Sequence, residues 1–407
     1  MRATDTMRGP AQALLEWTSL GAAVGVSCGA SSAVFLHLLE RATAFRLENE
    51  AIVYALPLAG LLTGWIYERW GASIQGGNNL VIDTIHESSQ QLPLRMAPMV
   101  LVGTVLTHLF GGSAGREGTA VQMGASLADA IAHRLRVRSE IRRHLLAAGM
   151  AGGFGSVFGT PIAGMLFGLE VVSVGRLEYG ALVPALVASL VGDFVCRHLG
   201  IIHTAYPAAP SVALTPAVLG KLGLLGIAMG LATIAFVELT HRLKRWLEAL
   251  VPRLPFRMFV GGVAVVVMWR TLGASDYLGL GVPTILRAFH DPTLPAGGFA
   301  AKLVFTSVTL GSGFLGGEVT PLFFVGATLG STLARLLALP LALGAGAGLA
   351  AVFGAAANTP IALSIMAVEL LGASALPHVL IVCVLAYVLS GDRGIYPAQR
   401  RRARPHA

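Results

Sequence analysis

The feature that most constrains this chain is a series of apolar segments broken by glycine-rich stretches that carry charge. The sharpest break is Gly111-Gly112-Ser113-Ala114-Gly115-Arg116-Glu117-Gly118-Thr119, between apolar segments at 96–110 and 120–132. The flanks read as membrane helices, which puts the break and its two charges at membrane depth. A charge there costs roughly 3 kcal/mol on insertion scales. Unwound backbone survives inside a bilayer only where protein buries it or where it lines a cavity. Both features point to an ion pathway. The plainer reading is a short loop outside the membrane whose Arg116 and Glu117 are solvated.

Composition decides the class. The 407 residues are 55% hydrophobic and 12% charged, against about 25% charged in soluble proteins. Long apolar runs without alternation exclude a transmembrane β-barrel, so the expected fold is an all-α polytopic membrane protein. The 50 glycines suit close helix packing and broken helices. The net charge of +8 is no nucleic-acid signal, because the basic residues collect at segment ends, at 134–143, 242–257 and 393–404. That distribution fits interfacial anchoring and a cytoplasmic C-terminus in a multi-pass membrane protein. Cys28, Cys196 and Cys383 stand apart in apolar contexts and read as buried thiols, with no metal or disulfide pattern. No cofactor motif is present. Glu16 interrupts the first apolar run, which argues against a cleavable signal.

In order, a polar stretch (1–12) leads into a first half at about 13–200, with a second glycine-rich entry at 71–80 and a basic loop at 134–144. A connector (about 201–213), a second half (about 214–389) and a basic tail (390–407) follow, and no soluble C-terminal domain is expected. Several segments are shorter than the ~20 residues a full span needs, so tilted and half-spanning helices are expected. The halves repeat one another. Phe154-Gly155 through Thr160-Pro161-Ile162-Ala163, with Glu170 beyond, matches Phe353-Gly354 through Thr359-Pro360-Ile361-Ala362, with Glu369 beyond. Gly115-Arg116-Glu117-Gly118-Thr119 parallels Gly317-Glu318-Val319-Thr320-Pro321. Two blocks in the same order at nearly the same offset mark an internal repeat, and matched broken helices are the best sequence pointer to a transporter site.

A helix starting inside the membrane offers free N–H groups and a positive dipole end, which together make an anion site. Three such starts are expected, after Gly77-Asn78, after Gly115 and after Gly317. Apart from Arg116 these motifs lack basic side chains, so an anion held there can also leave.

These motifs resemble those of the CLC family of chloride channels and anion/proton antiporters, over nearly the whole chain and in the same order. Gly115-Arg116-Glu117-Gly118-Thr119 is similar to its Gly-Arg-Glu-Gly-Pro signature, with Thr119 where Pro is usual. Gly317-Glu318-Val319-Thr320-Pro321 is similar to its Gly-x-Phe-x-Pro signature, with Val319 for Phe. Asn78 stands where the chloride branch has a serine, Val171 where that branch has an inner proton-transfer glutamate, and Tyr396 matches the tyrosine near the end of the last helix. These departures resemble the fluoride/proton antiporter branch. The resemblance implies a fold of two inverted-topology repeats, paired subunits with one pathway each, and fluoride, or chloride, exchanged for protons.

It also implies roles. Glu117 is the gating, proton-coupled carboxylate; the competing reading is a structural ion pair with Arg116. Asn78 donates its amide to a small anion, or caps its helix. Glu318 relays the proton, or is a paired structural acid. Val319, Thr320 and Tyr396 bind the anion beside Asn78, the last two through hydroxyls, although Thr320 could bond a carbonyl and Tyr396 could anchor at the interface. Glu170 and Glu369 read as packing or interface charges. Two further classes are weaker. Gly111-Gly112-Ser113-Ala114-Gly115 spells a hydrolase elbow and 311–316 a nucleotide-binding loop, but neither has the strand context such motifs require. A purely structural membrane subunit has no need of acids in glycine-rich breaks.

Overall fold

The computed structural model describes residues 10–87, 91–391 and 393–401. Most of the polar stretch at 1–12 and the end of the basic tail lie outside them. Among the described residues there are sixteen α-helices and no strand. The first eight are α1 (Pro10–Glu48), α2 (Leu56–Trp70), α3 (Asn78–Glu87), α4 (Met96–Leu109), α5 (Glu117–Arg134), α6 (Ser139–Phe158), α7 (Pro161–Glu170) and α8 (Leu182–His198). The second eight are α9 (Pro216–Leu250), α10 (Leu254–Leu272), α11 (Val282–Arg287), α12 (Gly298–Gly311), α13 (Val319–Leu336), α14 (Leu341–Ala356), α15 (Pro360–Leu371) and α16 (Leu376–Ser390). Seven helical stretches are long and apolar enough to cross a membrane. At 39 and 35 residues, α1 and α9 exceed the ~20 needed, so they cross tilted or project beyond the bilayer. The expected short helices are present: α4, α7, α12, α14 and α15 have 10–17 residues each.

The halves are related as two copies facing each other. Gly115 and Gly317 form an isolated antiparallel bridge, with Gly115 N–H donating to Gly317 O at 2.6 Å and Gly317 N–H to Gly115 O at 2.8 Å. The second signature is more telling. Glu170, at the end of α7, accepts from the amides of Ile361 (3.2 Å) and Ala362 (2.8 Å) at the start of α15. Glu369, near the end of α15, accepts from Ile162 (3.0 Å) and Ala163 (2.7 Å) at the start of α7. Each helix thus has its first free N–H groups met by a carboxylate from the other half, which also suits its dipole. The flanking Thr160 and Thr359, well placed as N-caps by sequence, make no cap bond. Glu170 and Glu369 are therefore packing charges of a defined kind, reciprocal caps across the pseudo-two-fold axis.

Glycine brings corresponding helix pairs together in both halves. A Cβ at Gly124 on α5 would lie 2.2 Å from Gly149 O on α6, and one at Gly326 on α13 would lie 2.1 Å from Gly348 O on α14. Only glycine permits backbones this close, the interface chemistry of membrane helices. All three cysteines are buried and free, as expected.

Three local expectations need correction. The basic stretch 134–144 is not all loop: α6 begins at Ser139. Arg142 turns inward there, donating to Asp129 through Nε (2.5 Å) and Nη2 (3.0 Å), while Asp129 also takes the Leu92 amide at 2.7 Å. A buried carboxylate needs that partnering, and a sequence cannot announce it. The stretch after Ser390 is not simply a tail, because 394–400 folds back against the bundle: Ile395 N–H donates to Ala356 O at 2.8 Å and Val174 N–H to Arg400 O at 3.0 Å. Tyr396 consequently sits past the last helix, not on it.

Candidate functional site

The three glycine-rich breaks converge. The helices they start are α3, α5 and α13, with Asn78, Glu117 and Val319 as first residues. Gly77 takes a left-handed φ of +55°, which turns the chain into α3. The loop before α5 is pinned to α12 through Ser113, whose N–H donates to Thr309 Oγ1 at 3.1 Å and whose hydroxyl lies 2.9 Å from Thr306 Oγ1. That serine is a buried structural hydroxyl, so the elbow-like spelling carries no nucleophile.

Glu117 is 1% exposed. Its carboxylate crosses to the other half and accepts from Thr320 N–H at 3.1 Å and from the Thr320 hydroxyl at 2.6–2.7 Å. Arg116 contributes its own N–H at 3.2 Å and its Nε at 3.5 Å. Thr320 is the second residue of an 18-residue helix. The carboxylate therefore occupies an anion seat at that helix's N-terminus, where free N–H groups and the dipole favour negative charge. Arg116 is a partner of Glu117, but the shorter bonds come from Thr320.

Two cavities reach residues close to Glu117 in the chain. One, of about 270 Å³, is lined by Asn78, Thr119, Glu318 and Tyr396, together with Tyr67, Lys244 and Arg257. The other, of about 570 Å³, is lined by Arg116, Glu40, Thr43 and His203. Arg116 faces one and Thr119 the other, while Glu117 between them is in neither wall.

Asn78 and Tyr396 meet in the first cavity although 318 positions separate them. Asn78 is 7% exposed. Its Oδ1 is buried without a partner, and its amide makes no cap bond to α3 among the described residues. The Tyr396 hydroxyl likewise has no hydrogen-bond partner among the described residues. The unpaired Oδ1 is an acceptor, so the group Asn78 can offer an anion is its amide Nδ2, and Tyr396 offers its hydroxyl to the same cavity. Glu318 shares the cavity. Val319 does not: it is 1% exposed and packs in the core. Thr320 turns to Glu117, not to the cavity. Lys244 and Arg257 were hidden in the basic run at 242–257, whose charges read as anchors. The Tyr67 hydroxyl, buried and unpartnered, carried no sequence signal.

Broken helices aimed at a common point, with a carboxylate seated where an anion would bind, define a membrane transporter for small anions. A family model described as voltage gated chloride channel matches residues 59–391, and the chain belongs to that family, the CLC proteins. A Pseudomonas syringae pv. tomato protein named "Chloride/fluoride channel protein" is 46% identical over 393 residues, which are 95% of this chain and 87% of that one. Among solved structures, a CLC-type fluoride/proton antiporter has a TM-score of 0.93 at 37% identity, covering 97% of this chain and 100% of that one. A slow cyanobacterial Cl⁻/H⁺ antiporter has a TM-score of 0.80 at 20% identity, covering 94% and 96%, a likeness of fold alone.

Proposed function

We propose that this CLC protein exports fluoride in exchange for protons. The observation that carries the reading is the Glu117 carboxylate resting on the Thr320 amide and hydroxyl, beside a cavity whose wall holds the Asn78 amide and the Tyr396 hydroxyl. A carboxylate in an anion seat excludes the anion. Once protonated, it loses its charge and its hold on the helix N-terminus, swings out, and frees the seat. Proton and anion then alternate, which is obligate exchange. Glu318, in the same cavity, is suited to pass the proton or to meet Glu117 when it rotates.

Fluoride is small and strongly hydrated, so a site must replace its water with short, strong hydrogen bonds. Amide, hydroxyl and backbone donors do this with little competing charge. Support for fluoride comes from the fluoride/proton antiporter fold at 37% identity and from Val171 at the position of the chloride branch's inner glutamate. The name of the Pseudomonas relative also admits chloride, which keeps chloride/proton exchange or passive chloride flow as the second reading. The setting is a bacterial inner membrane, the C-terminus cytoplasmic and two subunits paired, each with its own pathway. The test is efflux from proteoliposomes loaded with fluoride or chloride, followed with an anion electrode and a pH electrode. Fluoride-driven proton movement exceeding that with chloride is the expected result; equal fluxes of the two halides would defeat the fluoride assignment.

A further inference from the structure

The Asn78 amide and the Tyr396 hydroxyl reach the cavity from opposite ends of the chain, and a small hydrogen-bonded frame holds them in register. Its centre is Gln399, which is 6% exposed and lies three residues beyond Tyr396. Gln399 Nε2 donates to Val171 O at the end of α7 and to Ala357 O after α14, both at 2.8 Å. Its Oε1 accepts from Asn358 Nδ2, also at 2.8 Å. Both amide protons are used, one on each half of the molecule. The Gln399 N–H closes a turn onto Tyr396 O at 3.1 Å, so the tyrosine backbone is fastened directly to this anchor. On the other side, Asn79 Oδ1 accepts from Ala398 N–H at 3.1 Å. Asn79 follows Asn78, so that single bond ties one donor's helix to the other donor's segment.

We infer that Gln399 and Asn79 are positioning residues that fix the separation of the Asn78 and Tyr396 donors, and thereby the size of anion the cavity accepts. Neither need touch the anion through these bonds. A small halide gains from two donors only when both reach it at once, whereas a larger one tolerates slack. Precision of this order depends on the groups that hold the first contacts in place.

This role rests on Asn78 and Tyr396 being anion donors, as proposed above, and the test separates the two. Fluoride and chloride efflux are measured in proteoliposomes for Gln399→Leu and Asn79→Ala, each alone and combined with Tyr396→Phe. Each single substitution is expected to lower the fluoride-to-chloride flux ratio by about threefold or more, the scale of one degraded hydrogen bond. Protons should still move with fluoride. In the Tyr396→Phe background neither should lower the ratio further, because the hydroxyl they position is gone. Unchanged ratios, or equal falls in both backgrounds, overturn the role and leave the donor reading intact. An unchanged ratio for Tyr396→Phe alone overturns the donor reading, and this role with it. Gln399→Leu strands three buried polar groups; should it not fold, Asn79→Ala, which removes one bond from a half-buried side chain, carries the same cycle with the same outcomes.

Discussion

The break before α5 and the break before α13 are the same backbone with different chemistry. Gly115 and Gly317 exchange hydrogen bonds as equals. One position on, Arg116 answers to Glu318; then Glu117 to Val319, and Gly118 to Thr320. The first half supplies a carboxylate that can be neutralised, and the second supplies the amide and hydroxyl that seat it. Close packing forces part of this difference. A Cβ at Gly118 would lie 3.1 Å from both Asn78 Nδ2 and the Gly317 Cα, so a counterpart of Thr320 in the first half would have to push the Asn78 amide or the Gly317 backbone aside. A duplicated fold thus yields an ion site only where the copies stop being alike. Where they remain alike, as at Glu170 and Glu369, the symmetry serves packing.

The comparison can be broken at four points, in descending order of expected effect. Glu117→Gln keeps the shape and removes the titration, so proton movement should vanish under a fluoride gradient; continued fluoride-driven acidification, read with a pH electrode, would falsify the division of labour between the halves. Thr320→Val leaves the carboxylate one backbone donor in the second half. A hydrogen bond to a charged group contributes about 1.5–3 kcal/mol, so the seat should weaken roughly tenfold or more and more fluoride should pass per proton. An unchanged ratio would mean that the helix N-terminus alone holds the gate. Asn78→Ser shortens a donor and should reduce the preference for fluoride over chloride several-fold in liposome fluxes; unchanged relative fluxes would remove Asn78 from the site. Last, Glu170→Gln and Glu369→Gln each weaken one cap, at a cost of about 1 kcal/mol. Thermal unfolding should show similar small losses for both, while a large loss for only one would show that the reciprocal caps are not equivalent.

Much of the architecture was legible because its signals are local. Helix breaks are spelled by glycine and proline, and both break motifs and both Thr-Pro-Ile-Ala motifs fall where helices end or begin. The roles of Glu117, Asn78, Glu318 and Tyr396 are what the family resemblance implies; in the structure Asn78, Glu318 and Tyr396 share one cavity wall, and Glu117 rests on Thr320 outside it. Other features were not legible. Val319 shares a motif with the site residues yet packs in the core, because neighbours on a helix point in different directions. Arg142, Lys244 and Arg257 look like interfacial charges, and only the bond of Arg142 to Asp129 and the place of the other two in the cavity wall reveal otherwise. The folded-back segment around Tyr396 is held by Gln399, Asn358 and Asn79, polar residues with no periodic signature.

By itself the sequence determined that this chain is a duplicated bundle of broken membrane helices with an acid at a helix start, since apolar length, glycine placement and repeated spacing are properties of neighbouring residues. The tertiary structure alone decided that the acid of one half rests on the Thr320 of the other, that Glu170 and Glu369 exchange places as caps, and that Tyr396 hangs from Gln399. Apart from the short turn between Tyr396 and Gln399, those contacts join residues 191 to 228 positions apart, and Asn79 meets Ala398 across 319; their energies depend on distance and burial that no local pattern encodes.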